Sequence, residues 1–436
     1  MINSIYKNNA DSIRSAVWLF LAGLFSMTRI NLGGSIAISE IAMIALAPIL
    51  LLKNYLYMKK DKCLLLIWLS ITWLIGAVFA DWRNGTYISF ALKGAATPIV
   101  MGSAIIFMYA HLKKDVRNIK WFILGVSLSY VLSTFVFQRA ASLGLEGYSR
   151  EALERTIDYK LYWLNLVGQF AMLPVKGWYM STPLVYSVFA PIGMAGFSLF
   201  TGVRSQLLTF SMSALIILMG RKSYKTMLRI KRHLILAVVL LGVLGLCVKN
   251  LYRYAAVSGM IGESERDKYE RQSQGSDSAL KLLMAGRVEF FVGLFAIKGN
   301  PVIGRGSWAI DTDGIYPEFV YRYGTDDDVR QLVEAMRMNS SMCTFIPFHT
   351  HIITYWMWHG IFGLAFWLYA LYLVIGVLKN RMYVVPELFG YFAIVIPSFI
   401  WDVFFSPLGA RVEECALLVL CLLVKKINSQ VKVEGY

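Results

Sequence analysis

The sequence has little charge for its length and few cysteines. Of its 436 residues, 16% are charged and 57% are hydrophobic, whereas soluble domains carry about 25% charged and about 45–50% apolar residues. This balance excludes an ordinary soluble enzyme. Four of the five cysteines lie in or against apolar runs, so a disulfide framework is excluded as well. The composition predicts an all-α, polytopic integral membrane protein.

Long apolar runs recur along the chain, each close to the roughly 20 residues that a helix needs to cross a bilayer. One long polar stretch, 251–348, interrupts them and predicts a mostly helical cap with loops. We expect about 12 transmembrane helices: helices 1–9 in 1–250, the cap in 251–348, and helices 10–12 with a tail in 349–436. The predicted spans are 15–31, 35–52, 63–80, 87–110, 121–138, 160–176, 182–201, 205–219, 234–250, 349–376, 384–402 and 408–424.

The formal net charge of +16 comes from short basic clusters between apolar runs, which does not indicate a nucleic-acid partner. The clusters fall on every second connection, as the positive-inside rule predicts for cytoplasmic loops. This alternation requires an odd number of crossings between 138 and 221, so the weakly apolar run 160–176 is counted as a span. We expect both termini in the cytoplasm and the cap on the far side of the membrane, which in a bacterial inner membrane is the periplasm.

Three features at the outer mouths of the predicted spans suggest chemistry. Arg204 lies between two apolar runs with almost no loop, so its guanidinium must reach the interface or face a polar cavity. Arg287 precedes an apolar helix that ends at Gly299 and is too short to cross. His349 and His351 open a late span, where a neutral imidazole can accept a proton from a hydroxyl.

Each feature also has a structural interpretation. Arg204 can be an interfacial anchor, Arg287 a surface helix start, and the histidines ordinary residues at the end of a span. The His-x-His spacing does not converge on a helix, and no carboxylate or cysteine cluster accompanies it, so no metal site is predicted. Deeper in the same span, His359 is predicted to be buried and hydrogen-bonded.

Two further groups of polar residues lie near the predicted outer face. Asp81 belongs to a scattered set that could line a cavity. The Arg411, Glu413 and Glu414 group is interpreted as an ion-paired helix start, with the acids favoured at the helix N-terminus.

In their order and sidedness, these features resemble the bacterial O-antigen polymerase/ligase superfamily, membrane glycosyltransferases that use undecaprenyl-diphosphate-linked glycans. The chain departs from the family in one place, because Thr350 follows His349 where the family usually has Asn. Four local matches over 202–364 carry the resemblance: the turn Gly202-Val203-Arg204-Ser205, Arg287 with Gly299, the segment Asn300 to Gly306, and the His349 span with Gly360 and Gly363.

The resemblance implies a GT-C-like membrane fold and a site that faces the periplasm. Arg204 and Arg287 would hold the donor diphosphate, and His349 would position or deprotonate the acceptor hydroxyl. His351 and Arg305 would contribute to substrate binding. The reaction would be an inverting transfer without a metal or cofactor, because arginines would stabilise the leaving diphosphate. The implied partners are undecaprenyl-diphosphate-linked oligosaccharides, the lipid bilayer and a co-polymerase that sets chain length.

Two alternatives stay open. A ligase that transfers finished glycan to a lipid A core shares the motifs and the topology; the Tyr-, Phe- and Lys-rich, divergent chain favours the polymerase. A transporter or flippase would also be all-helical, but it commonly shows repeated halves and ionisable groups near mid-membrane. Here no internal repeat is visible and the charges collect at the outer mouths.

Overall fold

A computed structural model describes most of the chain, and most of the described residues are helical. Among them, four helices are long and apolar enough to cross a membrane: Ile38–Lys60, Cys63–Arg83, Ile88–Leu112 and His351–Leu378. Shorter apolar helices cover Ser12–Leu24, Val188–Leu199, Ser205–Leu218 and Phe389–Phe405. The described residues are 2–31, 35–135, 184–200, 204–222, 247, 250–260, 266, 269–270, 288–323, 329, 333, 345–347, 350–380, 385–406 and 411–433.

The helices used below are numbered in chain order. They are α1 (Ile2–Leu24), α2 (Ile38–Lys60), α3 (Cys63–Arg83), α4 (Ile88–Leu112), α5 (Ile119–Phe135), α6 (Leu184–Phe200), α7 (Arg204–Lys222), α8 (Val288–Gly299), α9 (Ile315–Tyr323), α10 (His351–Asn380), α11 (Phe389–Phe405) and α12 (Arg411–Val433).

An all-α membrane protein is what these helices indicate, and most predicted spans coincide with one of them. The predicted span 15–31 is wrong at its end, because α1 stops at Leu24 and β1 (Arg29–Asn31) pairs antiparallel with β2 (Ser35–Ala37). The span 160–176 and nearly all of 234–250 lie outside the described residues. The total of about 12 spans and the three-part division of the chain therefore stay predictions.

The core of the bundle lies where α3, α4, α10 and α12 pack together. Trp73 of α3 is fully buried there, in edge contact with Tyr355 at a centroid distance of 4.6 Å. Small residues allow the closest helix pairs: a side chain on Gly23 of α1 or on Gly125 of α5 would overlap the backbone of the opposite helix. Such close approach at small residues is typical of helix packing in membranes.

Exposed aromatic residues mark both ends of the bundle. Trp82 (77% exposed) and Tyr87 (68%) lie at the end where α3 passes into α4, which we call the cap end. Tyr55, Tyr57 and Trp121 lie at the opposite end, beside the Lys- and Arg-rich connection 113–118, which we call the basic end. Aromatic side chains collect at the two interfaces of a membrane protein, so this placement supports a bundle that spans a bilayer.

Short helices of the predicted cap region pack on the bundle. Helix α8 has 12 residues and is too short to cross a membrane, as predicted. It lies against α10, where a side chain on Gly293 would contact Ile353. Phe295 of α8 meets Phe319 of α9 at 4.8 Å between ring centroids. The start of α8 also contacts the end of α11, through Phe290 and Phe405.

Candidate functional site

Helix α10 is broken at Gly360, which has φ 63° and ψ −149°. A break of this kind leaves backbone carbonyls and amides without partners inside the helix. The segment Asn300 to Ser307, called the 300–307 segment below, supplies those partners. Its three hydrogen bonds to the break run from the Arg305 N–H to the Met357 carbonyl (2.7 Å), from the Gly306 N–H to the Trp358 carbonyl (3.0 Å), and from the Ile361 N–H to the Val302 carbonyl (3.0 Å).

Glycines make this close contact possible. Gly360 and Gly304 both have positive φ, 63° and 92°, which other residues rarely adopt. A side chain on Gly360 would overlap the Val302 carbonyl, and one on Gly304 would overlap the Trp358 carbonyl. Both positions therefore need glycine for conformation and for space.

A buried polar cluster fixes the other end of the 300–307 segment to α3 and α10. The Asp81 carboxylate accepts hydrogen bonds from the backbone N–H of Ser307 and from its hydroxyl, the latter at 2.9 Å. The hydroxyl also lies 3.0 Å from Nε2 of His359. All three side chains are at most 4% exposed.

The direction of these bonds follows from Trp73. Its indole N–H can only donate, and it lies 2.7 Å from Nδ1 of His359. Nδ1 must then be an acceptor, which places the proton of a neutral imidazole on Nε2, facing the Ser307 oxygen. Donation therefore runs from Trp73 to His359 to Ser307 and ends on Asp81. In this arrangement His359 cannot take the proton of Ser307, so the cluster holds structure and is not a nucleophilic dyad. The prediction that His359 is buried and hydrogen-bonded is confirmed.

A second buried polar layer connects the starts of α2, α10 and α12. Arg411 forms a two-pronged ion pair with Glu40, both bonds 2.9 Å long. The predicted ion-paired helix start is thus present, but the partner of Arg411 lies on α2 and not among the acids of its own helix. One turn further along α12, Glu414 Oε1 lies 3.5 Å from Nδ1 of His351.

His351 lies inside the bundle. It is 1% exposed, and its ring lies 4.8 Å from the ring of Trp367. Cys415, next to Glu414, donates a hydrogen bond to the Met101 carbonyl of α4. Met101 lies thirteen residues after the first residue of α4, which is about 20 Å along the helix. The pair of His351 and Glu414 therefore lies well inside the bundle and not at a mouth open to substrate.

Glu414 also lines a small cavity between α5, α11 and α12. The cavity has a volume of about 90 Å³ and is lined by two further carboxylates, Asp402 and Glu413. Within the described residues, Glu414 Oε2 is buried and has no hydrogen-bond partner. Ionisable groups in such positions of a membrane protein usually belong to functional regions. In the described part of the chain no three metal-binding side chains come together.

The side chain of Arg305 extends from the 300–307 segment toward α8 and the residues just before α9. Its Nε donates to the Ala296 carbonyl and its Nη2 to the exposed Asp313 carboxylate, each at 2.8 Å. Arg305 holds the pKa of the Asp313 carboxyl below its ordinary value. Helix α8 is about 18 Å long, and Arg305 contacts its last turn. The structure therefore does not bring Arg305 together with Val288, the residue that follows Arg287.

The other predicted site residues are described only in part. Arg287 and His349 lie outside the described residues. Arg204 is the first residue of α7, and only its backbone is described. Of the helices that follow these residues, α8 packs on α10. Helix α7 packs on α11, which itself packs on α10.

Ser307 and Glu40 were not predicted from the sequence, and Asp81 was predicted only as one of a scattered set of polar residues. Asp81 closes an apolar span, and its sequence position gave no reason to prefer it over the other polar residues that could line a cavity. Glu40 lies three residues into α2, where an acid at a helix N-terminus is unremarkable. Their roles become visible only in the folded structure, because their partners are far away in the sequence: Ser307 is 226 residues from Asp81, and Arg411 is 371 residues from Glu40.

No protein-family model and no curated protein sequence matches this chain.

Proposed function

We propose that this chain is a membrane glycosyltransferase that joins undecaprenyl-diphosphate-linked oligosaccharide repeat units, as an O-antigen or related surface-polysaccharide polymerase. One observation carries the proposal. The 300–307 segment docks into the break at Gly360 of the helix that begins at His351. These two parts of the sequence are separate motifs of the resemblance, and their direct contact supports treating them as one functional unit.

In the proposed reaction, the acceptor is a sugar hydroxyl of one lipid-linked glycan. Its oxygen attacks the anomeric carbon of the sugar attached to diphosphate on a second glycan, from the face opposite the leaving group. A C–O glycosidic bond forms, the bond from C1 to the phosphate oxygen breaks, and undecaprenyl diphosphate leaves with the electron pair. The hydroxyl proton passes to His349. Attack from the opposite face inverts the anomeric centre.

Arg204 and Arg287 carry the electrostatic part of the proposal. A guanidinium presents a planar fork that matches phosphate oxygens, and two of them offset the charge that develops on the departing diphosphate. The packing of α7 against α11 and of α8 against α10, with the contact of Phe290 of α8 with Phe405 of α11, supports a shared cavity for the two side chains. The alternation of basic connections supports a periplasmic placement of this cavity.

The burial of His351 favours His349 as the residue that meets the acceptor. With both ring nitrogens buried beside Glu414 and Trp367, His351 is placed to orient the start of α10 and not to touch a glycan. The Arg305 side chain bonds to Ala296 in the last turn of α8 and to Asp313 beyond that helix. We therefore propose a part for Arg305 in substrate binding only through its place in the 300–307 segment.

The transporter alternative has one structural argument in its favour, the broken helix at Gly360, because transporters often bind substrate where a helix is interrupted. Here the carbonyls of Met357 and Trp358 and the amide of Ile361 already bond to the 300–307 segment. The break is filled by the protein's own backbone, which favours the glycosyltransferase.

A cellular experiment tests the proposal and separates polymerase from ligase. The gene is deleted in the producing cell and restored as wild type, Arg287→Ala or Arg322→Ala, with membrane levels checked by immunoblot. Arg322 is a matched control, since it is an exposed arginine in the same region that pairs with Glu318 on its own helix. We expect wild type and Arg322→Ala to restore long polymer, and Arg287→Ala to leave single repeat units on the lipid A core.

The remaining outcomes contradict the proposal in different ways. Polymer that stays on undecaprenyl in the deletion strain would identify a ligase. Surface polysaccharide unchanged by the deletion would exclude both activities. Full-length polymer in the strain with Arg287→Ala would show that Arg287 is not part of the active site.

A further inference from the structure

A groove of the described structure lies away from the candidate site, at the basic end of the bundle. It has a volume of about 800 Å³ and separates α1 from α5, within the range of about 300–1,000 Å³ that is usual for sites of small molecules. Beyond Phe20 and Leu124 the two helices close on each other at Gly23 and Gly125, which ends the groove inside the bundle.

The wall of the groove is apolar and exposed. Ile13 is 65% exposed and Val17 51%, both on α1, and they face Trp121 of α5, which is 39% exposed. Side chains of this kind at the end of a membrane bundle are in contact with lipid chains. The wall therefore suits an acyl chain.

The mouth of the groove carries charges of both signs. Arg117 holds Asp115 through two parallel bonds of 2.9 Å, which leaves that pair neutral. Lys120 and Glu387 also line the groove. The Lys120 ammonium lies 5.5 Å from the centre of the Trp121 ring, and Glu387 interacts electrostatically with Arg117, whose guanidinium is already bonded to Asp115. The mouth thus presents one ammonium that can meet an anionic group and one carboxylate that can meet a cationic group.

We propose that this groove binds a zwitterionic aminophospholipid, phosphatidylethanolamine, with its phosphate at Lys120, its ammonium at Glu387 and an acyl chain along Ile13, Val17 and Trp121. Charge complementarity selects this lipid. Phosphatidylglycerol has the phosphate but no cation for Glu387. Phosphatidylcholine has a cation but no N–H to donate, so it cannot form a charge-assisted hydrogen bond with the carboxylate. This site does not depend on the proposed enzymatic function.

Native mass spectrometry of the full chain in detergent tests the proposal, with dioleoyl phosphatidylethanolamine, phosphatidylglycerol and phosphatidylcholine added at equal concentrations. We expect phosphatidylethanolamine to bind about tenfold more tightly than phosphatidylcholine, the difference that one charge-assisted hydrogen bond supplies. Equal binding of these two lipids to the wild type, or preference for phosphatidylglycerol, would overturn the proposal without any variant.

Three variants assign the contacts. Glu387→Gln should lower phosphatidylethanolamine binding to the level of phosphatidylcholine and leave phosphatidylcholine unchanged. Lys120→Gln should weaken both lipids, because both lose the partner of the phosphate. Ala16→Trp should block the groove for every lipid, since Ala16 lines its wall. Lys53→Gln is the matched control, an exposed lysine of the basic end outside the groove, and should bind as wild type does.

A thermal melt of each variant shows whether it is folded. Retention of the phosphatidylethanolamine preference by folded Glu387→Gln would contradict the assignment of the mouth, as would an equal loss of binding in Lys53→Gln.

Discussion

Asp81 and Ser307 are 226 residues apart in the sequence, yet the carboxylate of the first accepts both the backbone N–H and the hydroxyl of the second. This contact ties the 300–307 segment to α3, and the break at Gly360 ties the same segment to α10. Two membrane helices and a loop of the predicted cap are thereby joined in one buried polar unit, from which the first two predictions follow.

Ser307→Ala should destabilise the protein by about 1–3 kcal/mol, because it leaves an oxygen of Asp81 and Nε2–H of His359 buried without the hydroxyl between them. The measurement is the thermal unfolding of the purified protein in detergent. Ser213→Ala is the matched control, since Ser213 is equally buried but, among the described residues, donates only to the Thr209 carbonyl of its own helix. An equal loss in the two variants would contradict the special role of Ser307.

Gly360→Ala should prevent the 300–307 segment from docking, because the new methyl group would overlap the Val302 carbonyl and the backbone has φ 63°. We expect a lower unfolding temperature and new protease cleavage in the 300–307 segment. Gly193→Ala provides the comparison, as a helical glycine with open space around it, and should be neutral or slightly stabilising. Unchanged protease resistance of Gly360→Ala would show that the break does not hold the segment.

The ion pair between Glu40 and Arg411 should be strongly coupled. Arg411→Ala leaves the carboxylate of Glu40, which is 3% exposed, without its cation, at a cost of about 3–5 kcal/mol. Glu40→Gln combined with Arg411→Ala should recover part of this loss, because the double variant buries no charge. Chemical unfolding of the two single variants and the double variant gives the coupling free energy, and additive losses would contradict a direct pair.

The bond between Arg305 and Asp313 predicts a pH dependence. Since Arg305 lowers the pKa of Asp313 in the folded protein, the ionised carboxylate contributes stability above its ordinary pKa of 3.8, and this is lost as the pH falls through the lowered value. Asp313→Asn should therefore melt below wild type at pH 6, and the difference should shrink below about pH 4. A difference that stays constant between pH 6 and pH 3 would rule out this ion pair as its source.

The positions of the helices could be predicted, because an apolar run long enough to cross a membrane is compatible with few structures other than a membrane-spanning helix. The run at 349–376 became α10 nearly as expected, and Gly299 does end α8. The break at Gly360 could not be predicted, because a single glycine within an apolar run gives no local sign of a helix break. His351 was expected near an interface, whereas its partner Glu414 comes from a helix that starts 60 residues later. Contacts between distant helices decide burial, and periodicity in one helix does not reveal them.

The central claim is metal-independent glycosyl transfer at a site built from Arg204, Arg287 and His349. The most direct measurement uses the purified protein in detergent with single-repeat lipid-linked oligosaccharide extracted from the deletion strain, in the presence of EDTA, and resolves the products on a gel. We expect wild type to form a ladder of repeats and Arg287→Ala to form none. Absence of a ladder with folded wild-type protein, or a ladder that appears only when a divalent cation is restored, would contradict the claim.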